Sequence, residues 1–130
     1  MDETIRRSKD IIYNGNDETL LKRIEVTKKF LREIGIPANF IGYKYIGEAI
    51  LYMLQNKEVN FVSEIYRKIA AYHRTSPNSV EVSINNAIKR ALEISEENVR
   101  KILKISSSVK LTNSVFLNTA KEIIYEKVIK

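Results

Sequence analysis

A chain of 130 residues, 44% of them apolar and none of them cysteine, is one domain's worth of protein with enough material for a single core; disulfides, thiolate metal sites and cysteine nucleophiles are excluded. Its 22 Lys and Arg against 16 Asp and Glu give +6 at neutral pH, which suits a polyanionic partner but also a plain solvated surface. The acidic start Met1-Asp2-Glu3 lacks the layout of a signal peptide, and no apolar run nears the roughly 20 residues that cross a bilayer, so the expected setting is cytoplasmic, with no membrane partner.

Two prolines, four glycines and no alternating strand pattern make the periodicity helical almost throughout. Residues 1–16 are polar and broken by Asn14-Gly15-Asn16; they read as a flexible N-terminal tail or a short frayed helix. Residues 17–130 read as one helical domain. Its first helix starts near Asp17, a candidate N-cap, and buries Leu20, Leu21, Ile24, Phe30, Leu31 and Ile34. Gly35 stops it, and Pro37 prevents simple continuation. A second helix over about 42–56 turns Tyr45, Ile46, Ala49, Ile50 and Met53 inward, and a third over about 61–73 does the same with Ile65, Ile69 and Ala70.

Thr75-Ser76-Pro77 then combines a turn, an N-cap and a proline at the first helical position, where its missing N–H costs nothing. From there Val80, Ile84, Ala87, Ile88 and Ala91 recur at helical spacing. A short helix near 95–105 and a last one from about Asn113 to Lys127, capped by Thr112 or Asn113, complete a compact all-α bundle of about six helices.

The scarce residues argue against catalysis. His73 is the single histidine, and the three aspartates, Asp2, Asp10 and Asp17, all fall within the first 17 positions. A Ser-His-Asp arrangement or a zinc site would have one imidazole and little to complete it. The glycines have neither GxGxxG nor GxxxxGK spacing. No catalytic residue, metal or cofactor is expected. His73, closing a helix, suits the negative end of the helix dipole or a phosphate hydrogen bond. Tyr43, Tyr45, Tyr52 and Tyr66 read as core-edge residues with wet hydroxyls rather than a base-stacking platform.

Two helices joined by three or four turn residues are the skeleton of a helix-turn-helix, and YRKIAAYHRTSPNSVEVSINNAIKRA over 66–91 fits one spanning about 62–92. The usual turn glycine is missing, replaced by Arg74-Thr75, so a plain helical hairpin fits as well. Residues 61–110 carry nine Lys and Arg against five Glu, whereas residues 1–60 carry ten against nine. Most of the net +6 therefore surrounds the motif, where phosphate contacts are needed, although a lysine-rich solvated face is the bland equivalent.

Three segments in order, IGIPANFIGYKYIGEAI (34–50), the stretch just quoted and KLTNSVF (110–116), resemble the C-terminal DNA-binding domain of the sporulation stage-zero response regulator of spore-forming Firmicutes. The likeness runs from about residue 20 to 127. It implies a six-helix domain that places a recognition helix in the major groove of TGTCGAA-like elements of double-stranded DNA and regulates transcription. In that family a phosphorylatable receiver precedes the domain; 130 residues leave no room for one here. The further partners it allows are a second copy on tandem sites, RNA polymerase or another regulator.

The departures lie on the expected reading face. The family carries arginines at the positions matching Ser79, Val82 and Asn85, and a glutamate matching Glu81; only Glu81 is kept. Arginine is the usual bidentate reader of guanine, so the fold can be inherited while the sequence preference is not. The base-reading candidates are Ser79, Glu81, Val82, Asn85 and Asn86, with Asn85 or Asn86 suited to an adenine edge, Val82 to a thymine methyl and Glu81 to cytosine. Arg74, Lys89, Arg90, Lys104 and Lys110 are candidate phosphate contacts; only Lys110 matches a family lysine. Two readings stay open: a DNA-binding regulator of altered specificity, or a protein-interaction module that kept the fold, lost DNA reading and modulates another regulator.

Overall fold

The computed structural model describes residues 17–56 and 61–129, and the expected N-terminal tail lies outside them. Among the described residues the chain is all-α, with helices α1 (Asp17–Ile34), α2 (Ile41–Gln55), α3 (Val62–His73), α4 (Pro77–Leu103) and α5 (Asn113–Ile129). That is five helices rather than about six. The difference lies at Ser95, whose extended backbone (φ −163°, ψ 97°) interrupts α4. Its hydroxyl accepts from the Asn98 N–H at 3.1 Å, so a second N-cap sits inside one helical run where two helices were expected.

Helix boundaries follow local chemistry. Gly35 ends α1 in the left-handed region (φ 94°), with the Gly35 and Ile36 amides both donating to the Leu31 carbonyl. Ser76 caps α4 by accepting from the Ser79 N–H at 3.0 Å, ahead of Pro77 at the first helical position. Of the two caps weighed for α5, Thr112 takes the role, its hydroxyl accepting from the Val115 N–H at 3.1 Å.

Helix α2 is the hub: it packs against each of the other four helices and buries nine of its residues. One close approach sets the geometry. A Cβ on Gly42 would lie 2.2 Å from the Ser83 carbonyl oxygen and 2.7 Å from the Ala87 Cβ, so only glycine lets α2 press onto α4. The core then closes around Phe30, Ile46, Ile50, Phe116 and Ile124, joined by Ile69, Ala70, Val80, Ile84 and Ile88 from the α3–α4 pair. Leu21 departs from its expected place in the α1 stripe and is exposed, because the neighbouring Leu20 and Ile24 already fill the buried face.

Candidate nucleic-acid interface

Helices α3 and α4 are linked by Arg74, Thr75 and Ser76, with no glycine in the turn. Arg74 itself adopts the left-handed conformation (φ 55°, ψ 46°), its amide donating to the Ala70 and Ala71 carbonyls. That conformation costs a non-glycine residue roughly 1–2 kcal/mol. Lys104 does the same at the end of α4 (φ 58°), its amide donating to the Arg100 and Lys101 carbonyls. Both left-handed caps are thus occupied by expected phosphate contacts rather than by glycine.

With Val80, Ile84, Ala87 and Ile88 turned into the core, the opposite face of α4 is exposed at Asn78, Ser79, Val82, Asn86 and Lys89. Val82 is 46% exposed, an apolar side chain in the middle of a polar face. A groove of about 860 Å³ runs beside it, floored by α3, the start of α4 and the approach to α5. Glu81, Val82, Asn85 and Lys110 all line it, so the structure brings these four expected residues together. Ser79 and Asn86 lie on the same helix outside the groove, Arg74 precedes α4, Lys89 and Arg90 follow on its exposed face, and Lys104 caps its far end.

Two readers differ from their expected state. The Asn85 side chain is only partly exposed, and its amide donates to Asn113 Oδ1 at 3.2 Å. Asn113 donates in turn to the Tyr66 hydroxyl at 3.2 Å and to the Glu81 carbonyl at 3.0 Å. This network ties α3, α4 and the start of α5 into one rigid wall, and one of the Asn85 donors is committed to it. The Ser79 hydroxyl receives a hydrogen bond from Ser76 Oγ at 2.9 Å, which engages it in the helix cap.

Tyr66 is buried, against the expectation of a wet hydroxyl, because Asn113 supplies the partner that water would have. Burial holds its hydroxyl above the ordinary 10.0; the Asn113 hydrogen bond works against that shift, and the Glu81 charge adds to it. His73 is likewise turned inward. Its Nε2 donates to the Glu48 carboxylate at 2.7 Å, between the rings of Tyr45 and Tyr72, and this partner from α2 explains its place better than a phosphate does.

Sequence reasoning missed three contributors. Ser63 and Arg67 on α3 line the same groove as Glu81. Their signal was spacing: positions 63 and 67 share the face opposite Ile65 and Ile69. The third is Arg100, whose guanidinium donates to the carbonyls of Ser106 (2.8 Å) and Val109 (2.9 Å) and to Glu96 (2.8 Å). It pins the connection that delivers Lys110. Nothing in the periodicity of α4 announced that link.

Among the described residues no cluster of three or more His, Asp or Glu could hold a metal ion, and no helix is long and apolar enough to cross a membrane. No solved structure matches the chain at a significant level. The family model for the sporulation initiation factor Spo0A C terminal matches residues 26–124. That span takes in α2, α3 and α4 whole and reaches Ile124 on α5, including the groove and every expected contact residue. The chain therefore belongs to the Spo0A C-terminal domain family, a family of DNA-binding regulators of sporulation.

Proposed function

We propose that residues 17–130 form a double-stranded DNA-binding transcriptional regulator domain in which α3, the Arg74–Ser76 turn and α4 act as a helix-turn-helix. In this reading the N-terminal half of α4 enters the major groove, and its preferred element differs from the family's. The observation that carries it is that Glu81 and Val82 line one open groove together with the cations Arg67 and Lys110. Base-edge groups side by side with phosphate-binding groups are what a duplex reader needs. Arg74 before the helix and Lys89 and Arg90 along it extend the phosphate track.

The reading face has changed chemistry. Val82 suits a thymine methyl and Glu81 a cytosine amine, while Asn86 is left as the asparagine free to pair with adenine, Asn85 being tied to Asn113. A second copy on a tandem element fits the same mode. The test is anisotropy titration of duplex DNA at two salt concentrations. Affinity should fall with a log–log slope of about −0.9 per phosphate neutralised. Lys110→Ala should weaken binding to every sequence alike and flatten that slope; Asn86→Ala should relax one position of an in vitro selected element by about 1–3 kcal/mol. A strong preference for the family's TGTCGAA-like element would overturn altered specificity. No binding at low salt would turn the assignment to the protein-interaction reading, which the exposed Val82 and the 70% exposed Phe61 before α3 favour.

A further inference from the structure

On the far side of α2 from α4, a cavity of about 350 Å³ lies between α1 and the entry to α2. Ile24 and Leu31 from α1, and Phe40 and Leu51 from the α2 side, give it apolar walls. Its size falls at the lower end of small-molecule sites. At roughly 30 Å³ per non-hydrogen atom, the share of a water molecule in the liquid, it holds about a dozen such atoms.

Three independent features of the lining point to an occupant. The first is Gly47, in the interior of α2, where glycine is less favourable than alanine. A Cβ there would meet only Leu31 Cδ1, at 3.9 Å, so packing does not require glycine; its effect is to leave the cavity open. The second is Thr27, 1% exposed, which lines this space and whose buried hydroxyl has no hydrogen-bond partner. Buried hydroxyls are ordinarily satisfied. The third is the start of α2. Its N-cap is Phe40, which offers no side-chain hydrogen bond, and its first turn has no acidic residue but does have Lys44. A cation there opposes the helix dipole, and an anion is the natural complement to both.

We propose that this cavity is a binding site for a small anionic amphiphile: a medium-chain carboxylate with one further hydroxyl or carbonyl group. The carboxylate sits at the rim on Lys44 and the first amides of α2. The chain lies along Ile24, Leu31 and Leu51 over Gly47, and the added polar group pairs with the Thr27 hydroxyl. Glu48 also lines the cavity, its Oε1 meeting His73 Nε2 at 2.7 Å, and a second carboxylate close beside it is unfavourable, so the anionic head stays at the rim. The site is separate from the DNA-reading groove and does not depend on its assignment.

The experiment is calorimetric and NMR titration of the whole chain with 3-hydroxydecanoate, decanoate, decanol and decyltrimethylammonium below their micellar concentrations. Saturable one-to-one binding should rank hydroxydecanoate above decanoate above decanol, with the cation weakest, and shift the amides of Phe40, Ile41 and Lys44. Gly47→Val should abolish binding of all four while raising the melting temperature, which separates a filled cavity from a lost fold. Lys44→Ala should erase the preference for carboxylate over alcohol, and Thr27→Val the preference for hydroxydecanoate over decanoate, each by about tenfold. No saturable binding, equal binding by Gly47→Val, or a cation that binds as well as decanoate would overturn the proposal.

Discussion

Helix α2 carries two glycines, Gly42 in its first turn and Gly47 in its interior, in opposite circumstances. Gly42 has the Ser83 carbonyl where its Cβ would be, and Gly47 has open space. The contrast extends to their surroundings. On the Gly42 side the polar groups are matched: Asn113 serves Tyr66, Glu81 and Asn85 at once. On the Gly47 side, the Thr27 hydroxyl is buried without a partner. A domain whose reading helix must hold its angle to within a fraction of an ångström gains from the first kind of junction. The second kind is less stable than it needs to be, and natural sequences keep such defects where binding uses them.

Gly42→Ala is the sharpest way to break the locked side. Its methyl would meet a backbone carbonyl inside a helix, which cannot swing away as a side chain can, so α2 and α4 must separate. The expected loss is about 3 kcal/mol, at the upper end for overpacking, with DNA affinity falling as α4 is displaced. Chemical denaturation checks the first and titration at fixed salt the second. Unchanged stability would mean that α2 does not press onto α4 as described.

Asn113→Ala comes next. It removes one side chain and leaves Tyr66 and the Glu81 carbonyl without their partner, at a cost of about 2 kcal/mol. It also frees the Asn85 amide. Selection on random duplexes should then report a changed preference at the base facing Asn85, whereas a purely structural asparagine would leave the selected element as it was.

Such side-chain commitments mark the limit of what the residues alone disclose. The helices were legible because burial at i, i+3 and i+4 depends only on spacing, and the α4 start was legible because Ser76-Pro77 acts within one turn. The break at Ser95 was legible as a boundary but not as a bend inside one helix, since the residues on both sides favour helix. The site was half legible. Which α4 positions point outward follows from the same spacing, and Glu81 and Val82 do. That Asn85 turns to Asn113, 28 positions later, or that His73 turns to Glu48, 25 earlier, depends on how helices dock, which no local pattern encodes.

On the open side the signs reverse. Thr27→Val keeps the shape of the side chain and deletes a buried hydroxyl that has no partner, so stability should rise by about 1 kcal/mol. Gly47→Ala should add about 0.5–1 kcal/mol through helix propensity, its methyl lying in ordinary contact with Leu31. Thermal unfolding of both variants reads these gains. A loss from either would show that the cavity side is as tightly matched as the Gly42 side.

The smallest effect appears only in alkali, and it returns to the locked side. Tyr66 has its folded pKa raised above the ordinary 10.0, chiefly by burial, so the folded state favours the neutral phenol. Below pH 10 both folded and unfolded chains carry that proton, and the stabilisation is fully present. As the pH rises past 10 the unfolded chain releases the proton first, and the stabilisation is lost progressively until the folded group ionises too. Tyr66→Phe has no proton to lose there. The stability of the native chain relative to Tyr66→Phe should therefore be constant from pH 7 to 9 and decline above 10, measured by urea denaturation of both proteins across that range. A difference that stays flat through pH 11 would mean that the Tyr66 hydroxyl titrates as freely as one in water, and that the wall joining α3, α4 and α5 is not closed around it.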